Sequence, residues 1–206
     1  MPYAFVTSFD PERECLLGTR ESLICETSQI LGNPDEDGPQ VCFLAGVAGS
    51  SKSAVAHSIA RMFNEMNRLG SSYFFDRADV TSRNPNNLFS TIARDLSNLD
   101  PWYRSALWGV VKRSRSLRTS SSWPKEQVER FIIEPSKELC PIGPIVIVIY
   151  ALDEIGDRAS RHELLDVVLR KLLRMHCQPI FAFLSRPALK RISSYHFCLV
   201  LELSAK

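Results

Sequence analysis

Apolar and polar positions divide the chain into short buried runs and helical stripes. Val41-Cys42-Phe43-Leu44-Ala45 is strand-length and uninterrupted by polar residues, as a strand buried on both faces requires. Val55, Ile59, Met62, Phe63 and Met66 then recur at helical spacing. They predict an amphipathic helix near 52–68, with Gly70 as its stop. Ser72-Tyr73-Phe74-Phe75 predicts a second strand. Leu88, Ile92, Leu96 and Leu99 predict a helix broken at Pro101, and Val128, Ile132 and Leu139 another, kinked or divided at Pro135. Ile145-Val146-Ile147-Val148-Ile149 is the strongest strand signal, an unbroken β-branched run suited to the interior of a parallel sheet. Leu165, Val168, Leu169 and Leu172 predict the next helix, and 180–184 and 197–203 a fourth and fifth strand. This alternation predicts an α/β fold, a doubly wound sheet covered on both faces.

Residues 1–39 are mixed and end in the breaker-rich Gly32-Asn33-Pro34-Asp35-Glu36-Asp37-Gly38-Pro39, read as an exposed loop. The division is therefore an entry segment and loop, 1–39, and one domain, 40–206. Lys and Arg number 25 against 23 Asp and Glu, a formal charge of +2. That balance gives no global footprint for nucleic acid or anionic membrane. The local exception is Lys112, Arg113, Arg115 and Arg118, read as a solvated helix end and loop, with an anion or nucleic-acid contact as the alternative. Cys15, Cys25, Cys42, Cys140, Cys177 and Cys198 are scattered, with no Cys-x-x-Cys pair. Neither zinc nor a disulfide framework is expected, and free thiols fit a reducing cytosol. The start lacks a basic then apolar leader, and the longest apolar run is too short to span a bilayer. The expectation is a soluble cytoplasmic protein without a membrane partner.

Chemistry in such sheets lies at the turns after the strands, where helix N-termini point amides outward. The first strand is followed by Gly46-Val47-Ala48-Gly49-Ser50-Ser51-Lys52-Ser53, close to the phosphate-loop pattern G-x-x-x-x-G-K-[ST]. Lys52 would reach the phosphates and Ser53 would offer a hydroxyl to Mg²⁺. Ser51 stands where the pattern has glycine. Its Cβ costs about 1–2 kcal/mol if the loop needs a left-handed backbone there. The third strand runs into Tyr150-Ala151-Leu152-Asp153-Glu154. Nucleotide hydrolases of this type end that strand in an Asp that supports Mg²⁺, followed by a carboxylate that positions water. Tyr150 occupies the Asp position, and a neutral phenol is no substitute for a hard anionic ligand. Asp153 and Glu154 follow, as metal and water ligands or as caps of the next helix. The fourth strand ends in Ser185-Arg186-Pro187, where Arg186 would sense a γ-phosphate if that strand neighbours the first; taken alone it reads as a turn with a surface arginine.

Together these segments resemble the NACHT domain of STAND-class P-loop NTPases, most closely the fungal nephrocystin-like modules. Cys15-Leu16-Leu17-Gly18-Thr19-Arg20 is similar to the family's entry segment, 43–53 to its Walker A, and 147–154 to its Walker B. Leu69-Gly70-Ser71-Ser72-Tyr73-Phe74-Phe75 and Asn84-Pro85 with 88–93 resemble its second strand and following helix, and Leu184-Ser185-Arg186-Pro187 its sensor 1. The resemblance implies a mainly parallel five-stranded three-layer sandwich in the order 5-1-4-3-2. It implies ATP or GTP with Mg²⁺, held by Gly46, Val47, Ala48, Gly49, Ser50, Ser51, Lys52, Ser53 and Ala54 and, beside the base, by Gly18, Thr19 and Arg20. Ser53 and Asp153 would hold the metal, and Asp153, Glu154 and Arg186 would serve hydrolysis. The implied function is a signalling switch of the innate-immunity type, with hydrolysis slowed by Ser51 and Tyr150. The alternatives are a pseudo-NTPase interaction module and a competent slow NTPase. Family members continue into a lid, a winged helix and a repeat sensor, so protein partners would act through parts beyond Lys206. Nucleic acid is not an expected partner.

Overall fold

The computed structural model describes residues 8–32, 41–47, 49–76, 78–79, 86–113, 124–140, 143–155, 158–171, 180–185 and 198–203. Five strands form one sheet: β1 (Val41–Gly46), β2 (Leu69–Phe74), β3 (Val146–Tyr150), β4 (Ile180–Ser185) and β5 (Cys198–Leu203). Their order is β2-β3-β4-β1-β5, and every pairing is parallel. Phe74, Tyr150, Leu184, Leu44 and Leu201 lie in one row across the sheet, with Ala45 beside Ser185 one residue on. The carboxyl ends of the strands therefore share one edge.

Alternation along the strands sorts the core into two layers. Cys42, Leu44, Phe74, Val146 and Val148 face α2 (Lys52–Glu65), where Val55, Ile59 and Phe63 are buried, and Leu31 of α1 (Glu21–Gly32) joins them. Val41, Phe43, Tyr73, Ile147 and Ile149 face the other way. There they meet α3 (Asn86–Leu99), α4 (Pro101–Arg113), α5 (124–136) and α6 (Arg158–Lys171) through Leu88, Ile92, Leu107, Phe131 and Val168. Helix α5 joins Pro124–Gln127, a π-helical turn Val128–Ile133 and Glu134–Ser136.

Three local expectations are corrected. Gly70 does not stop α2. Asn67, left-handed at φ 55°, closes the helix while the Arg68 amide reaches back to the Phe63 carbonyl at 2.8 Å, a Schellman-type end. Gly70 sits inside β2, where an added Cβ would come within 2.3 Å of the Ile145 side chain. Leu139 lies beyond α5, which ends at Ser136, yet is buried in the core. The third is α1, which occupies part of the segment read as mixed.

Pro135 lies in the last piece of α5, just after the π-helical turn. It has no N–H for the Phe131 carbonyl four residues earlier, and the Tyr103 hydroxyl donates to that carbonyl at 2.6 Å. Asp100 accepts from the Tyr103 amide and caps α4, with Pro101 at the first helical position. Arg68 ties α1 to the approach of β3, donating to the carbonyls of Gly32 and Pro144. Among the described residues, no helix is long and apolar enough to cross a membrane. Arg115, Arg118, Leu172 and Phe197 lie outside the described residues.

Candidate functional site

The turn between β1 and α2 is built around Lys52. Only 8% exposed, its ammonium donates to the carbonyls of Gly46 at 2.7 Å and Val47 at 2.6 Å and to the Ser50 hydroxyl at 3.2 Å. A buried ammonium needs such acceptors, and its three hydrogens match three loop oxygens. Ser50, itself buried, closes the turn by donating amide and hydroxyl to Val47. Gly49 is left-handed at φ 82°, which glycine adopts freely.

Ser51 is left-handed too, at φ 61° and ψ 22°. The condition for strain is met, and the cost is about 1–2 kcal/mol relative to glycine. Its side chain makes no capping bond to α2. A fourteen-residue helix thus begins with its amides uncapped by the residue that normally caps them, and with a cation in its first turn. The partial positive charge of a helix N-terminus and an ammonium repel each other, and an anion between them would satisfy both. Ser53 and Ala54 follow, half-buried, in the same first turn. Ala48 lies outside the described residues.

The turn after β3 is the second part. Tyr150 is half-buried, with its ring centroid 5.5 Å from that of Phe74. Ala151 is left-handed at φ 58°, and Leu152–Glu154 form one 3-10 turn anchored by the buried Leu152. Asp153 and Glu154 are half-buried in that turn, and the Asp153 carbonyl accepts from Arg161 of α6 at 3.3 Å. Helix α6 begins only at Arg158, so the capping alternative gains no support. Among the described residues, no group of three or more His, Cys, Asp or Glu side chains is placed to hold a metal. Ser185 ends β4 beside Ala45, and Arg186 lies outside the described residues.

The entry segment is described from Ser8 onward. Gly18 is left-handed at φ 81° and Arg20 at φ 57°. Thr19 closes the turn onto the Leu16 carbonyl through amide and hydroxyl. Ahead of this turn the segment runs along α2. The amides of Phe9, Asp10 and Cys15 donate to Ser72 Oγ, His57 Nδ1 and Ser58 Oγ. Glu14 pairs with Arg61 at 3.0 Å.

Sequence reasoning missed His57. It stacks on Phe74 with centroids 4.1 Å apart and planes 4° from parallel. Burial foremost, then the Arg13 charge, pushes its pKa down to about 4 against a smaller opposing pull from Asp10. The neutral ring is what lets Nδ1 accept the Asp10 amide. The available signal was its place in α2, one helical turn beyond Ser53. A row of rings, His57, Phe74 and Tyr150, thus runs from α2 to the end of β3.

Of the four non-glycine residues described with positive φ, Arg20, Ser51 and Ala151 lie in three predicted motifs. Backbone strain gathers at functional sites. No curated protein matches the chain. A family model described as Nephrocystin 3, N-terminal matches residues 18–186, from the entry turn through the residue after β4. With both strand-end turns inside a match that spans most of its length, the chain belongs to the Nephrocystin 3, N-terminal family.

Proposed function

We propose that the chain is a nucleotide-binding switch domain of NACHT and STAND type, a P-loop NTPase that takes ATP or GTP with Mg²⁺ and hydrolyses it slowly. The observation that carries this reading is the Lys52 ammonium, buried among loop oxygens at the uncapped start of α2. A phosphate fits that place by charge and by donor supply. The sheet order, read from the other edge as 5-1-4-3-2, supports the same class. Lys52 would exchange loop carbonyls for phosphate oxygens. Ser53 and Asp153 offer hard oxygen donors suited to Mg²⁺, which keeps most of its shell as water and phosphate. The metal, when bound, neutralises phosphate charge. Glu154 would orient water, and Arg186 would meet the γ-phosphate. Gly18, Thr19 and Arg20 would flank the base. A role in signalling, with protein partners in adjoining domains, rests on the resemblance alone.

The second reading, a pseudo-NTPase interaction module, is favoured by Tyr150, which gives the strand end a phenol beside Phe74 in place of a carboxylate. A thermal-shift titration with Mg-ATP and Mg-GTP separates the two. Ligand at 100 times its Kd stabilises by about 2.7 kcal/mol, a rise of several degrees for this size. Absence of any shift at millimolar nucleotide would contradict nucleotide binding and leave the module reading. For hydrolysis, Ser51→Gly combined with Tyr150→Asp is expected to raise turnover. An unchanged rate in phosphate release would remove Tyr150 as the cause of slow hydrolysis.

A further inference from the structure

Helix α4 buries Tyr103, Leu107 and Val110 in the core, so its orientation is fixed. At about 100° per residue, Ser105 and Lys112 lie opposite that buried stripe, and Trp108 and Trp102 lie on either flank. Both indoles are 67% exposed. Arg104 and Arg113 stand outside them, also exposed, and α4 contains no acidic residue. Glu134 of α5 lies 3.7 Å from Arg113 in a solvent-exposed pair of little strength, and Asp100 caps the helix start. The outward ridge is thus two indoles about 9 Å apart along the axis, set among three cations.

Size and shape decide what such a ridge fits. Two indoles exposed to this extent offer roughly 300 Å² of apolar surface. A stable protein interface takes about 800 Å² per partner. Single-stranded nucleic acid is bound in basic grooves that track many phosphates, and a convex helix face carrying three cations is no groove. A headgroup layer accepts indoles and cations together, without a matching shape. We infer that the outward ridge of α4, through Trp102, Trp108 and Lys112, adsorbs onto anionic phospholipid surfaces. This is contact in the plane of the membrane, compatible with the lack of a membrane-crossing helix among the described residues. It does not depend on nucleotide.

The indoles are their own reporters. With Trp123→Phe as background, Trp102 and Trp108 remain, since the chain holds three tryptophans. Titration with phosphatidylserine-containing vesicles at low salt is expected to shift their emission to the blue and to carry the chain into the vesicle pellet. Phosphatidylcholine vesicles are expected to do neither. Trp102→Ala with Trp108→Ala should reduce pelleting at least tenfold in the native background, and Lys112→Glu about threefold, with circular dichroism unchanged in both. No pelleting with anionic vesicles overturns the inference, as does pelleting indifferent to these substitutions. A blue shift given by single-stranded RNA and not by vesicles would assign the ridge to nucleic acid. A dimer in solution that dissociates on Trp102→Ala with Trp108→Ala would assign it to a second copy.

Discussion

The turns that follow β1 and β3 share a backbone device and differ in chemistry. Each passes through a non-glycine residue in the left-handed region, Ser51 at φ 61° and Ala151 at φ 58°. The first gathers oxygens around a cation at the start of α2. The second sets a phenol against an aromatic neighbour and places two carboxylates in a short 3-10 turn. One turn has what an anion requires, and the other lacks an anionic ligand at its strand's end. Under the proposed function, phosphate recognition and metal support would thus be separable, with Tyr150 touching the second and leaving the first intact.

The sharpest way to break that separation is to alter one turn at a time. Lys52→Ala is expected to abolish nucleotide-dependent stabilisation, a loss of about 2.7 kcal/mol at 100-fold saturation. Tyr150→Phe should leave that stabilisation within the error of the thermal shift. If Tyr150→Phe abolishes it, the turns act as one unit.

His57 joins the two regions, and its effect is next in size. The unfolded ring takes a proton near pH 6.5, whereas the folded ring resists until about pH 4. The unfolded state therefore binds more protons in that window, and stability is lost as pH falls from 6.5 to 4. By pH 4.5 the loss is on the order of 2 kcal/mol. His57→Phe keeps a ring over Phe74 and cannot titrate, so urea unfolding at pH 7 and 4.5 should show a flatter dependence. A variant as steep as the native chain would mean that other groups carry the acid sensitivity.

Glycine substitutions give the smallest effects and sharpen the comparison most finely. Ser51 is exposed, so Ser51→Gly recovers most of the backbone cost and should stabilise by about 1 kcal/mol. That corresponds to a rise of roughly 2–4 °C. Ala151 is buried, and its methyl contributes about 0.8 kcal/mol by burial. Ala151→Gly should therefore be close to neutral. A destabilised Ser51→Gly would show that the hydroxyl, and not the backbone, decides the first turn.

The sheet was legible because its strands are unbroken apolar runs, and runs such as 41–45 and 145–149 have little alternative but burial on both faces. Helix α1 escaped notice since its inward stripe includes Thr27, which is buried without apolar character. Gly70 misled for a physical reason: a glycine after a helical stripe reads as a stop. Here the stop is Asn67, and the glycine serves a close approach to Ile145 across the sheet. In the candidate site, the residue types at Lys52, Ser53, Asp153 and Glu154 could be read from spacing. The left-handed backbone at Ala151 could not, because alanine carries no signal for that conformation. Nor could the role of His57, whose partners Asp10 and Phe74 are distant in sequence and adjacent only after folding.

The central claim is that the Lys52 turn receives a nucleotide's phosphates. Calorimetric titration of the intact chain with Mg-ATP and Mg-GTP, repeated on Lys52→Ala, tests it most directly. The account predicts saturable one-site binding of at least one nucleotide, lost in the variant while its circular dichroism is unchanged. Binding that survives Lys52→Ala, or none to the native chain at millimolar nucleotide, would contradict it.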